Sequence, residues 1–177
     1  MIEQKYQTVW RRTGAGLIDT LILTLLMYIP NEIIHKLHSI FLVGFWDIIS
    51  DWLTAIYFVV LHGIYGQTIG KKICKVKILN KDENRLSFKQ AALRDIVPII
   101  TNIASSVWII SNSELYYHFV TNPKDVMKSN AALPQWMLAI SMVMCVWSLL
   151  EIVTMLTNKR RRAIHDFIAG SIVCRVD

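Results

Sequence analysis

The sequence predicts an all-α membrane protein. Four transmembrane helices, over about 13–30, 46–64, 95–112 and 135–157, stand on a small cytoplasmic layer in which two short strands pair. Three observations carry this. Hydrophobic residues make up 54% of the chain and charged residues only 18%, with a mean hydropathy of +0.40, too oily for an ordinary soluble domain. The apolar residues are gathered into long blocks. The basic residues sit beside those blocks, so the net charge of +6 points to an anionic membrane surface and not to nucleic acid. With cytoplasmic segments 65–94 and 158–177, the chain reads as one membrane domain over 1–177.

The first span opens on Arg11-Arg12 and carries Asp19 inside its apolar run. Arg12, Ala15, Gly16 and Asp19 recur at helical spacing and share a face. A rise of about 1.5 Å per residue puts Asp19 roughly 10 Å beyond Arg12. With Arg12 at the headgroups, Asp19 lies in the hydrocarbon, where a carboxylate costs about 2.5–3.5 kcal/mol on insertion scales. It must therefore face protein or water, with Arg12 or Arg94 as its best-placed partner. Asp19 is either an ion- or proton-binding group or a structural helix–helix bond. The basic start resembles a signal peptide, yet no small-residue cleavage site follows, so the segment reads as an uncleaved anchor with Trp10 at the interface.

Pro30-Asn31 breaks that span, leaving a loop in which Ile33, Ile34, Leu37, Ile40 and Phe41 form an apolar face suited to the outer interface. The second span starts near Trp46. Asp47 and Asp51, one turn apart at its start, are either an ion entrance or hydrated acids complementing the helix dipole. Ile73–Ile78 alternates apolar and basic residues, the period of a half-buried strand, and Asn80–Asn84 is a turn. Ser87 and Gln90 make a capping box that starts a helix; it carries Arg94 and Asp95 to the membrane and becomes the third span.

Ser111–Leu133 is expected as a polar outer loop. The fourth span is interrupted only by Glu151, the second carboxylate candidate for ion or proton binding. Lys159–Arg162 then stops translocation and offers about 1 kcal/mol per basic residue to anionic lipid. A second alternating run, Ser171–Val176, supplies the backbone partner that Ile73–Ile78 lacks, and the pairing would return Asp166 to the neighbourhood of Arg12. Lys5, Arg11, Arg12, the 71–94 segment and the 159–162 block share one side of this arrangement; the other holds only Lys36, Lys124 and Lys128. The positive-inside rule puts both termini in the cytoplasm. A multi-pass protein of the plasma membrane, a bacterial inner membrane, is expected.

Other patterns carry less. Cys74, Cys145 and Cys174 have no disulfide or zinc spacing and read as free thiols. Gly66–Lys71 has three residues between its glycines and Lys72 after Lys71, so it is not a phosphate loop. It reads as a tight exit from the second span, with both lysines at the lipid surface. Glu32, His35 and His38 have ligand spacing but read as a solvated helix face. His165 and Asp166 are adjacent and diverge on a helix. No catalytic constellation, metal site or cofactor site is expected, and no enzyme.

Three segments together resemble the RDD family of membrane proteins, named for one arginine and two aspartates. Arg12-Thr13-Gly14-Ala15-Gly16-Leu17-Ile18-Asp19 is similar to its first helix, Gly66-Gln67-Thr68-Ile69-Gly70-Lys71 to its Gly-Gln-Thr-x-Gly-Lys, and His165-Asp166 with Ala169-Gly170-Ser171 to its closing signature. Serine stands at 171 where threonine is usual. The resemblance implies Arg12, Asp19 and Asp166 as the name residues. Cation/proton exchange has been suggested within the family. It would make the chain a transport component for monovalent cations or protons, working as a homo-oligomer with Asp19, Glu151 or Asp166 as the carboxylate. The rival is a non-catalytic scaffold in which these charges only lock helices to the cytoplasmic layer.

Overall fold

The computed structural model describes residues 4–122 and 135–176. It is mostly helical, with one small sheet. A 3₁₀ turn at Gln4–Tyr6 leads into α1 (Val9–Lys36), and α2 (Ile40–Tyr65) follows after a link of three residues. Both long helices are apolar enough to cross a membrane, with mean hydropathies of 1.6 and 1.5. Their burial is inverted relative to a water-soluble protein. In α1 the buried residues are Ala15 and Asp19, whereas Leu17, Leu21, Leu25 and Leu26 are 59–68% exposed. Such a helix suits lipid outside and polar contacts inside.

Pro30 does not end α1. In a membrane helix the one backbone bond that proline removes is readily tolerated, and the apolar run continues in register through Ile33 and Ile34. The expected interfacial loop therefore shrinks to Leu37–Ser39, and the second span starts at Ile40, six residues before Trp46. Asp47 and Asp51 consequently lie inside α2 and not at its N-terminus. The Tyr116 hydroxyl donates to Asp47 Oδ2 at 2.7 Å. Ser39 caps α2, and Gly66 closes it at φ +68, where a Cβ would stand 2.5 Å from the Ile78 carbonyl oxygen.

A five-residue helix, α3 (Ile69–Ile73), comes next, so the strand expected over Ile73–Ile78 begins only at β1 (Val76–Asn80). Lys75, at φ +55, makes the turn between the two. The strand pairs antiparallel with β2 (Ser171–Arg175), from Val76↔Arg175 to Asn80↔Ser171. The anticipated pairing thus forms, displaced toward the C-terminal end of the first run. Asn80 Oδ1 accepts from the Asp82 and Asn84 N–H groups, fixing the turn between β1 and the next helix.

The capping box of Ser87 and Gln90 starts α4 (Phe88–Arg94) as expected, but this helix does not run on into the third span. It meets α5 (Ile96–Ser111) at a bend of 66°. Pro98 is the cause: it has no N–H for the Arg94 carbonyl, and its ring clashes with that carbonyl in a continuous helix. Residues Ser113–Thr121 of the expected outer loop form α6; the rest of that loop, 123–133 with Lys124 and Lys128, lies outside the described residues. Then come α7 (Gln135–Thr157), apolar over Ser141–Thr157, and α8 (Ile164–Ala169), closed by Gly170 at φ +64. The described residues hold two helices able to cross a membrane alone, or three when the bent α4–α5 pair counts as one. A packed core of Val76, Ile78, Leu86, Ala91 and Val173 reaches Ala15, so it sits around the sheet at one end of the long helices.

Candidate functional site

Two carboxylates are wholly buried at that end, and each is held differently. Among the described residues no cation pairs directly with Asp19. Thr68 Oγ1 donates to its Oδ2 at 2.5 Å, and Tyr57 Oη and the Gly70 N–H donate to its Oδ1 at 2.8 Å each. The expected partners Arg12 and Arg94 are elsewhere, because the N-terminal turn of α3 has closed over Asp19. Gly70 allows this: a Cβ there would run into the Ala15 carbonyl oxygen and stand 2.9 Å from Asp19 Cγ. Its glycine serves close approach to α1 and not a tight exit. Gly16, expected on the same packed face, has open space around it. Thr68 also caps α3, and the Gln67 side chain donates to the Val76 carbonyl at 2.9 Å.

Asp166 is where the basic residues converge. Arg12 Nη2 donates to its Oδ2 at 2.5 Å, while Arg94 Nη1 bonds its Oδ1 and donates to Ser171 Oγ at 2.9 Å. The Ala163 N–H and the Ser171 hydroxyl complete the shell at 2.9 and 3.0 Å. Serine at 171 thus keeps the hydroxyl that threonine would supply. Burial would raise the Asp166 carboxyl, but Arg12 and Arg94 outweigh it and hold the group well below the usual carboxylate range. Arg162 turns inward too, donating to the Ser171 and Asp166 carbonyls at 2.9 and 2.8 Å, so part of the 159–162 block serves this knot and not lipid. Beside it, His165 Nδ1 pairs with Glu151 Oε2, and the His165 N–H donates to Glu151 Oε1 at 3.1 Å. Burial first, then the Arg94 charge, lowers the His165 imidazole.

A cavity of about 290 Å³ opens between α2 and the α4–α5 bend. Asp51, Thr54, Phe58 and His62 line it from α2, Asp95 from the α4–α5 bend and Asn102 from α5. Lys71, Arg94 and His165 close it toward the sheet. Lys71 therefore faces this cavity and not the lipid surface. Its ammonium lies 5.7 Å from the centre of the Phe58 ring and is pushed down to about 8, by burial first and by Arg94 next. His62 Nδ1 lies 3.3 Å from Asp95 Oδ2. The sequence reading missed Tyr57, Thr68, His62 and Asp95 in these roles. His62 was the one with a signal: a lone histidine on the same helical face as Asp51, Thr54 and Phe58. Among the described residues no group of histidine, cysteine and acidic side chains has the arrangement to hold a metal ion; Glu32 meets Lys36 at 3.9 Å. Among the described residues Cys74 and Cys145 are free thiols.

Apolar-faced helices over a charged, hydrogen-bonded end layer define a membrane protein. The chain belongs to the RDD family, whose model matches residues 6–170. No curated protein and no solved structure matches it. Of the name residues that the resemblance implies, Arg12 and Asp166 are in direct contact, while Asp19 forms a separate clamp on α3.

Proposed function

We propose that the chain is a cation/proton exchange or transport component of a bacterial inner membrane, with four spans and both termini cytoplasmic. The spans are α1, α2, the bent α4–α5 pair and α7. The observation behind this reading is the cavity, which brings ionisable side chains from Asp51, inside α2, to Lys71 and Arg94 at the charged end. Ionisable groups facing a cavity within a span are functional candidates, because bare burial in lipid is costly. The ionisable groups on its wall from α2 and the bend are Asp51, His62 and Asp95, the last two in contact at 3.3 Å. Asp19 and Asp166, by contrast, have their oxygens filled by donors of the chain itself. The four spans of one chain make a narrow bundle, so the working unit is a homo-oligomer, with anionic lipid against the exposed Lys159 and Arg160.

The experiment is ion-driven proton flux in proteoliposomes, with Na⁺, K⁺ and Li⁺ gradients imposed in turn. The native chain is expected to move protons under at least one gradient, and Asp51→Asn to lose that flux while still folding. Absence of flux under all three sinks the proposal. It would leave the scaffold reading, favoured by the three uncharged donors that already satisfy Asp19. In that reading Arg12, Asp19 and Asp166 fasten the helices to the cytoplasmic layer and nothing crosses the membrane.

A further inference from the structure

Among the described residues only two buried side-chain polar atoms have no hydrogen-bond partner, Thr8 Oγ1 and His62 Nε2. His62 is 2% exposed and lines the cavity, with its ring fixed from the other side by Asp95. A neutral imidazole has one N–H. A bond to the Asp95 carboxylate requires that hydrogen on Nδ1, which leaves a bare lone pair on Nε2. Leaving a buried acceptor without a partner is costly, so it calls for an occupant.

We propose that His62 Nε2 is a proton-binding site, the proton-carrying position of the cavity. It deepens the exchange reading and rests on it for the flux measurement alone; the titration is independent of it. In the loading step the Nε2 lone pair takes H⁺ from hydronium in the cavity. A new N–H bond forms, one O–H bond of hydronium breaks, and water is left. The resulting imidazolium faces Asp95, which balances its charge across the 3.3 Å contact already present. At about 290 Å³ the cavity has room for several waters, each taking about 30 Å³ in the liquid. It follows α2 from Asp51 to His62, eleven residues or about 16 Å, which gives the proton a route along the span.

Every charged or titratable group around His62 enters the balance. Asp95 at the α4–α5 bend favours the imidazolium. Lys71 on α3 and Arg94 on α4 oppose it. His165 on α8 is tied to Glu151, and Asp51 lies at the far end of the cavity. Arg94 is bound to Asp166, so Lys71 is the adjustable cation. Loading His62 and charging Lys71 are therefore antagonistic.

The test is ¹⁵N NMR of the full chain in lipid nanodiscs across pH. His62-Gly63 is the one His–Gly dipeptide in the sequence, so joint histidine and glycine labelling identifies its signals without a variant. The expected result is an Nδ1–H neutral tautomer that becomes doubly protonated on acidification. Asp95→Asn should lower the midpoint and Lys71→Gln raise it, each by about tenfold in proton affinity. An Nε2–H tautomer, a ring that never titrates in the folded protein, or shifts of the same sign in both variants would overturn the assignment. So would unchanged proton flux in His62→Gln. Titration as described with no native flux would instead leave the site standing and remove the exchange reading.

Discussion

Two glycines of similar appearance in the sequence should respond oppositely to alanine. At Gly70 a Cβ collides with the Ala15 carbonyl and lies 2.9 and 3.0 Å from Asp19 Cγ and Oδ1. Backbone cannot swing aside as a side chain can, so α3 must lift from α1 and its N–H must leave Asp19. Losing a bond to a buried carboxylate costs about 1.5–3 kcal/mol. Overpacking adds about 1–3 kcal/mol, and alanine's better helix propensity returns about 1 kcal/mol. Gly70→Ala should thus lose roughly 2–5 kcal/mol, a large part of a typical total of about 5–15 kcal/mol. At about 2–4 °C per kcal/mol, the melting temperature should fall by of order 10 °C. Gly16→Ala meets nothing within 4 Å and should be neutral or stabilised by up to about 1 kcal/mol. Intrinsic tryptophan fluorescence during heating in one detergent reads both variants. The contact argument fails if Gly70→Ala melts with the native protein, or if Gly16→Ala is the more damaging change.

Asp166→Asn leaves two buried arginines without a counter-charge and should cost about 3–5 kcal/mol, measured as the same melting shift. It should also flatten the acid limb of native stability. A carboxyl depressed in the folded state contributes above its unfolded value near 4, and that contribution is lost as pH falls; the variant has none to lose. Tyr57→Phe removes one of the three donors to Asp19 and should destabilise by about 1–3 kcal/mol without altering the helical circular dichroism; an unchanged melting temperature would show that Thr68 and Gly70 suffice.

Local signals in the sequence were read correctly where one segment contained all the chemistry. The Ser87–Gln90 capping box and the Gly66 terminus of α2 are of this kind. The pairing of two distant runs was legible for another reason: each carries its own alternation and lacks a backbone partner, although their ends slipped when α3 claimed Ile73. The two prolines show the limit. Pro30 reads as a break yet sits inside α1, whereas the third span reads as continuous with the helix started at Ser87 and is bent by 66° where Pro98 follows. Proline ends a helix only when nothing else keeps the flanking turns together. Around Pro98, Arg94 is drawn to Asp166 on α8, 72 residues away in sequence, and such a contact has no local signature. The partners of Asp19 were hidden for the same reason. Thr68 and Gly70 lie 49 and 51 residues further on, and one of the donors is a backbone N–H that no side-chain pattern reveals.

This geometry changes what the loss of a charged residue means. Asp19 holds α3 against α1, and Asp166 joins α1, α4 and α8 through Arg12, Arg94 and its own helix. Those same elements place Lys71 and Arg94 on the cavity wall. Replacing Asp19 by asparagine would set an amide N–H₂ against three donors, with one acceptor left to serve them. The protein would then lose any activity through displacement of α3, whether or not Asp19 ever meets an ion. Loss of function at Asp19 or Asp166 therefore cannot identify either as a coordinating group. Side chains on the cavity wall can discriminate: Asp51→Asn, His62→Gln and Lys71→Gln change ionisable groups there and leave the Asp19 and Asp166 shells in place. If flux were lost in the clamp variants alone, with normal melting, while all three cavity variants kept it, the carboxylates would be the ion sites after all.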